Sequence, residues 1–371
     1  MKITHENGAK KIFEIITIVL FLACITIPFA AMNFKTAQIS EIDNKTLFEI
    51  KDIKKETFTT DVEKYVSDRI GFRDEIITAY VAANDALFGT LEHPTYTYGK
   101  DGHVFFNMPD NNFSKSYLKA FVKYIKKMQQ YCIENEIDFL YCINPNKTII
   151  YKDYLPEGAN LTFERQNTLV QLLDKHNINY MDNTQLLAEA AKNTQVFNVK
   201  FDAGHWNETG AFIGMNNILK TLSQKHPEIT VNDESDFTIT SYINEYLPLS
   251  KLRIDEPTNT YIPNNPSAVD VTANDTDIII DSTYNDYSHL INESQPELPR
   301  ILVFRGSYFL GKEKFMADKF SESIFVHSYN NIFNMEYYIE KFNPDIVLFE
   351  SVEYATINRY FPKDKLTESA N

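Results

Sequence analysis

The chain has 371 residues and a formal charge of −15, from 36 basic and 51 acidic side chains. That length can bury a sizeable core, and an apolar fraction of 43% with 27 Phe and 22 Tyr excludes a disordered chain. The acidity, unrelieved by any long basic run, excludes a general nucleic-acid binder. Three cysteines make no disulfide framework, and no Cys/His set has zinc-finger spacing. Cys132 and Cys142 are expected as small buried thiols.

Residues 1–11 carry Lys2, Lys10 and Lys11, and from Ile15 to Met32 there is no charge. Eighteen such residues just span a bilayer as a helix. The basic flank should stay in the cytoplasm, which places the remainder outside. The rival reading is a cleaved signal peptide, but Phe29 and Pro28 spoil the small-x-small sites ending at Ala31 and Ala30. The expected organisation is a cytoplasmic tail 1–11, a transmembrane anchor 12–32, a polar stalk 33–60 and one domain 61–371.

Apolar positions from Val62 to Leu87 predict a helix over 61–88, broken in the middle by Gly71. Asp101-Gly102 between aromatic and apolar residues predicts a hairpin over 98–106. An amphipathic helix follows over 114–136. Strand and helix then alternate: strand 138–143, helix 163–176, strand 178–181, helix 184–191, a strand-like stretch 196–201 and helix 209–224. Residues 228–298 are rich in Asn, Asp, Thr, Pro and Tyr, with β-prone pieces at 238–242 and 277–281, and read as a loop-and-strand insertion. The alternation resumes with strand 301–306, helix 312–319, strand 323–327, helix 334–341 and strand 345–350. Such a pattern predicts an α/β fold with a mainly parallel sheet.

The chemistry concentrates at Asp202-Ala203-Gly204-His205-Trp206-Asn207 and at Ser307. A carboxylate three residues before a histidine can share its turn and orient the imidazole as a base. Ser307 follows the buried run Ile301-Leu302-Val303-Phe304 through Arg305-Gly306, at the strand-end edge where open α/β sheets carry their sites. Each residue alone has a plainer role: Asp202 as a helix cap, His205 as a structural hydrogen-bonder, Ser307 as a turn residue. Together they supply nucleophile, base and orienting acid.

Four segments resemble the alginate O-acetyltransferase AlgJ/AlgX-like family of the SGNH-hydrolase superfamily. They are Asp68-Arg69-Ile70-Gly71-Phe72-Arg73-Asp74 with Ala86 to Gly89, then Gly99 to Phe106, then Pro145-Asn146-Lys147 with Tyr151 and Tyr154-Leu155-Pro156, and finally Asp202 to Asn207 and Ser307 with Pro344 to Val347 and Glu350 to Glu353. Here two residues separate acid and histidine where the family commonly has one, and Gly306 precedes the serine where the family commonly has Asp. The resemblance implies a three-layer α/β/α fold, with Ser307 as nucleophile, His205 as general base and Asp202 as its acid. Backbone N–H groups near Ser307 and Tyr308 would form the oxyanion hole. Asn144 and Asn146 are candidate oxyanion donors or turn-makers, and Lys147 a candidate contact to an anionic sugar or donor, or a surface lysine. Arg305, Trp206 and Tyr308 are further candidates for substrate contact, the aromatics equally for core packing.

The function expected is O-acetylation of an exopolysaccharide or cell-wall polysaccharide outside the cytoplasm, through an acyl-enzyme. The resemblance implies a membrane-bound O-acyltransferase as acetyl donor, with no soluble cofactor and no metal. An acetyl-esterase and a non-catalytic polysaccharide-binding or assembly protein are the alternatives.

Overall fold

The computed structural model describes residues 3–35, 39–40, 42, 45–93, 95–107, 113–159, 161–248 and 252–369. The chain divides into two compact units, residues 1–97 with 246–254 and residues 98–245 with 255–371.

In the first unit α1 (Ile3–Ala30) carries the apolar run. Its segment Lys10–Ala30 has 21 residues and a mean hydropathy of 2.5, long and apolar enough to cross a membrane. Within 33–60, expected as a polar stalk, the described residues include paired and buried ones. β1 (Ile39–Ser40) pairs antiparallel with β2 (Lys45–Thr46), Ile42 and Leu47 are buried, and Arg69 Nη1 donates to the carbonyls of Asn33 and Lys35 at 3.1 and 2.6 Å. Helices α2 (Phe58–Arg69) and α3 (Arg73–Phe88) follow, split at Ile70-Gly71. Glycine is required at the split, because a Cβ on Gly71 would lie 2.5 Å from Ala31 Cβ.

β3 (Tyr96–Tyr98) and β4 (Val104–Phe106) form the predicted hairpin. Asp101 and Gly102 both take left-handed backbone at its turn, with φ of 51° and 76°. α4 (Lys115–Glu134) is capped by Ser114 and buries Leu118, Phe121, Val122, Ile125 and Cys132 along one face. β5 (Asp138–Asn144), α5 (Lys147–Ile150), α6 (Glu164–Lys175), β6 (Tyr180–Asp182), α7 (Thr184–Ala190) and α8 (Glu208–Leu222) continue the alternation. Next come β7 (Phe237–Tyr246), β8 (Arg253–Pro263), β9 (Val269–Asp270) and β10 (Tyr287–Ile291). The chain closes with β11 (Arg300–Arg305), β12 (Glu322–His327), α9 (Met335–Phe342), β13 (Ile346–Val352) and α10 (Lys363–Ser369).

The central sheet has seven strands in the order β6-β5-β13-β11-β12-β10-β9. Its first five strands are mutually parallel, and β10 and β9 add antiparallel pairs at the far edge. All seven residues of β13 and five of six in β11 are buried, so both faces of the sheet are covered. This is the SGNH-like α/β architecture.

Four expectations change. Residues 196–201 form no strand, only a bridge between Phe197 and Trp206. Residues 277–281 form no strand either. The helix expected over 312–319 is two 3₁₀ turns, Glu313–Phe315 and Ala317–Lys319, in a segment whose Lys312 and Lys314 pair with Glu208. The stretch 228–298 is more than an insertion, since β9 and β10 extend the central sheet while β7 and β8 pair apart from it. Cys132 and Cys142 are free and buried, and burial pushes the Cys132 thiol up to about 12.

Candidate active site

β11 ends at Arg305 and the chain turns through Gly306 into a 3₁₀ turn, Ser307–Phe309. The turn is held from below. Gly306 N–H donates to Glu350 Oε2 at 2.7 Å, from the neighbouring strand β13. The N–H groups of Ser307 and Tyr308 have no protein hydrogen-bond partner among the described residues. Ser307 therefore stands at a strand end with two donors free beside it, as an oxyanion hole needs.

The histidine loop is shaped by Asp202, which sits in left-handed backbone at φ 46°, a conformation Asp tolerates better than most residues. Its Oδ1 accepts the N–H groups of Gly204 and His205 at 3.1 and 2.9 Å. The same carboxylate lies 3.0 and 2.9 Å from His205 Nδ1. His205 Nε2 lies 2.8 Å from Ser307 Oγ. A carboxylate only accepts, so Nδ1 carries the proton and Nε2 is free to take the serine hydrogen. Burial acts to lower the His205 pKa, but the hydrogen bond and charge of Asp202, with the charge of Glu350, outweigh it and raise the group above its ordinary value. Burial acts to raise Asp202, but His205 and the two N–H groups outweigh it and hold the carboxyl below its ordinary range.

Neighbouring residues fix the loop. Glu256 on β8 accepts three consecutive N–H groups, from Val199, Lys200 and Phe201, at 2.6, 2.8 and 2.5 Å. Downstream, Asn207 caps α8 by accepting Gly210 N–H at 2.9 Å. Glu208 joins the two catalytic loops, pairing with Lys312 at 3.1 Å and Lys314 at 2.7 Å and accepting Tyr261 N–H at 2.7 Å. Gly210 admits no side chain: a Cβ there would fall 2.2 Å from Val196 O and 3.1 Å from Trp206 Cβ. Gly210→Ala should cost about 3 kcal/mol of stability by displacing the cap against fixed backbone, read as a lowered Tm in thermal unfolding.

Ser307 and His205 open onto a cleft of about 850 Å³, walled among others by Phe106, Asn146, Phe163, Arg165, Tyr354 and Arg359. That volume suits a ligand of one or two sugar rings. Of the residues expected to touch substrate, Asn146 lines the cleft. Its amide nitrogen donates to Glu353 Oε1 at 2.6 Å, and its Oδ1 accepts Thr148 N–H at 2.6 Å. The side chains of Asn144, Lys147, Arg305, Trp206 and Tyr308 are enclosed, so Trp206 and Tyr308 take the core-packing alternative and Lys147 is not a surface lysine. Lys147 Nζ is consumed by the carbonyls of Val104 and Val199, at 2.7 and 2.8 Å, and burial lowers it to about 7. Asn144 bridges Glu350 at 3.0 Å and Asn183 at 2.8 Å. Trp206 Nε1 donates to Tyr308 O at 2.8 Å, and Tyr308 hydroxyl donates to Gly204 O at 2.6 Å, so these aromatics tie the histidine loop to the serine loop. Arg305 lies behind the turn with its Nε unpartnered.

Glu208, Glu256, Glu350 and Glu353 were not among the candidate site residues. Two had a signal in sequence. Glu350 is a lone carboxylate in the apolar run Ile346-Val347-Leu348-Phe349, and Glu256 falls on the buried alternation of β8 with Ile254 and Thr258.

With this geometry in place, the comparisons fall into line. Residues 97–269 match the family described as SGNH hydrolase-like domain, acetyltransferase AlgX. This segment is similar to the AlgX-type acetyltransferase domain. The match bears out the AlgJ/AlgX-like resemblance; the AlgX-type segment includes Asp202 and His205, and Ser307 lies beyond it. No curated protein matches the chain. Among solved structures, PatB1 of Bacillus cereus is 18% identical with a TM-score of 0.54, over 69% of this chain and 95% of that one. The O-acetyltransferase domain of Pseudomonas putida AlgJ is 16% identical with a TM-score of 0.50, over 75% of this chain and 100% of that one. A DHHW family protein from Eubacterium siraeum is 14% identical with a TM-score of 0.51, over 75% and 97%. At these identities the likeness concerns the fold.

Proposed function

We propose that this protein is an extracytoplasmic O-acetyltransferase acting on an exopolysaccharide or cell-wall polysaccharide. The observation that carries the reading is the line Asp202–His205–Ser307, with contacts of 2.9 and 2.8 Å at the edge of a sugar-sized cleft. Ser307 Oγ attacks the acetyl carbonyl while its proton passes to His205 Nε2. The oxyanion is met by the N–H groups of Ser307 and Tyr308. The intermediate collapses to acetyl-Ser307, and His205 returns the proton to the departing donor group. A sugar hydroxyl then gives its proton to His205 and attacks the acyl carbon; the acyl–Oγ bond breaks and His205 returns that proton to Ser307 Oγ. Asp202 holds the imidazole in the tautomer that each step requires. The residues that hold this line are all side chains and backbone of the chain, so the reading calls for no metal and no soluble cofactor.

The AlgX-type family match and the fold shared with the AlgJ O-acetyltransferase domain support acyl transfer to a polysaccharide. The apolar helix with Lys10 and Lys11 on its N-terminal side supports an anchored protein with its site outside. An outward site has no access to cytoplasmic acetyl donors, so the donor is a membrane-bound O-acyltransferase that relays the group. Gly306 in place of the acidic residue expected there supports activity, because its N–H holds Glu350 while the serine–histidine contact stays intact.

Transfer and hydrolysis share the acyl-enzyme. The deciding assay gives the full chain in detergent a small acetyl ester, with and without polysaccharide fragments, and follows acetylated sugar and free acetate. Acetylated fragments support the transferase. Acetate alone, at an unchanged rate with every acceptor, would leave an esterase. PatB1 has been solved with a sulfonyl adduct, and a sulfonyl fluoride provides the parallel trap for Ser307 here.

A further inference from the structure

Helix α3 buries Val81 and half-buries Ile77 on its inner side, yet carries a second apolar stripe on the outside. Phe72, Ile76, Tyr80, Ala83 and Leu87, at i, i+4, i+8, i+11 and i+15, lie within an arc of about 80° at the helical period. All five are exposed, Phe72, Ile76 and Tyr80 by 52 to 54% and Leu87 by 73%. Of the charged residues of α3, Arg73, Asp74 and Asp85 are half-buried on the remaining faces, and Glu75 alone is exposed, in the first turn beside the stripe. A helix bathed in water shows the reverse order.

The position of this stripe says what covers it. The link between α2 and α3 is bonded to the end of the apolar helix α1: Gly71 N–H donates to Pro28 O at 2.9 Å, and Asn33 N–H to Arg69 O at 2.8 Å. Arg69 Nη1 adds its two bonds to the carbonyls of Asn33 and Lys35. Gly71 packs so closely on Ala31 that no side chain fits between them. Phe72, one residue beyond this joint, is the N-cap of α3. Phe34, 68% exposed, adds an aromatic ring next to the same joint. Aromatic side chains concentrate where a span meets water. The stripe runs the length of α3 up to Gly89, which ends the helix at φ 63°, as expected of a helix lying along a surface rather than standing on it.

We infer that α3 is an interfacial membrane helix, its Phe72–Leu87 stripe immersed in the lipid surface from which α1 emerges. The occupant is the acyl-chain and glycerol region of the bilayer. The inference rests on α1 being the membrane anchor, and the experiment separates the two. The full chain carries Cys24→Ser, since the other two cysteines are buried, and is placed in vesicles of phosphatidylethanolamine and phosphatidylglycerol. Ile76→Cys, Tyr80→Cys and Leu87→Cys are labelled one at a time with an environment-sensitive fluorophore. Val19→Cys in α1 and Glu63→Cys on the exposed side of α2 are the references. Nitroxide-bearing lipid should quench the three stripe positions several-fold more than it quenches position 63, and aqueous iodide should do the opposite. Stripe positions open to iodide while position 19 is quenched by lipid would overturn the inference and leave the anchor standing. Stripe positions shielded from both quenchers would overturn it in favour of a protein contact, a second copy of the chain included. Position 19 unquenched by lipid would remove the anchor, and the inference with it.

Discussion

Ser307→Ala should abolish the acetyl adduct and reduce acetyl transfer to background, a loss on the order of 10⁶-fold if the three residues work as one unit. His205→Ala should fall nearly as far, because Ser307 Oγ loses the base that stands 2.8 Å from it. Asp202→Asn should lose less, on the order of 10⁴-fold. Asparagine keeps the Oδ1 that accepts the Gly204 and His205 N–H groups and tolerates the left-handed backbone, so the loop survives. Its amide hydrogens, however, face Nδ1 and force the wrong tautomer. The triple variant should be no worse than Ser307→Ala. All three single variants should unfold near the temperature of the unmodified protein, since Ser307, His205 and Asp202 are only partly buried. The measurement is intact-protein mass spectrometry after incubation with an acetyl ester, beside initial rates. An adduct on another residue, or full activity in the His205 variant, would sink the assignment.

Much of this was legible because the chemistry sits on strongly patterned elements. The run 301–304 could only be a covered strand, and a covered strand must end where the chain can turn, which placed Ser307. Asp202 and His205 were legible from spacing, since three residues allow one turn to serve both side chains. What failed to read was what depends on partners distant in sequence. Residues 196–201 look like a strand, yet their N–H groups are taken by Glu256 and not by a neighbouring strand. Residues 312–319 have helical composition, but Lys312 and Lys314 are drawn to Glu208, and the segment tightens into 3₁₀ turns. Lys147 reads as a surface cation, and only the fold brings the carbonyls of Val104 and Val199 to its ammonium. These three misreadings trace to charged groups whose partners sequence distance concealed.

Glu350 is the clearest such charge, and its substitution should change the shape of the pH profile. Its oxygens accept from Gly306 N–H at 2.7 Å and from Asn144 Nδ2 at 3.0 Å. Asn144 cannot turn round to help, because its Oδ1 is held by Asn183 at 2.8 Å. Only the ionised carboxylate satisfies both donors. Burial nevertheless raises its pKa from an ordinary 4.5 to about 7, with the two hydrogen bonds opposing. Protonation on the acid side then takes an acceptor from the turn that carries Ser307. His205, also raised, must be neutral to act as a base and is lost over the same side. The acid limb of log kcat/KM should therefore steepen towards a slope of two below neutral pH, where one base alone gives one. Glu350→Gln should restore a slope of one and shift the limb to lower pH, because the negative charge that helps to raise His205 is gone. Its kcat should fall about 10- to 100-fold, since glutamine turns an amide donor onto Gly306 or Asn144. KM should change little, because Glu350 is buried beneath the cleft floor and does not line it. Stability has the opposite sign. A carboxyl raised by folding contributes stability that is fully present below its unfolded value and is lost as pH rises through about 7, some 3 kcal/mol in all. Stability of the unmodified protein, read by thermal unfolding, should thus fall between pH 4.5 and 7, and Glu350→Gln should flatten that fall, leaving the share of Glu353, which burial raises to about 8. An unmodified protein with an acid limb of slope one, identical in the Glu350 variant, would leave Glu350 a packing residue with no hold on the serine turn.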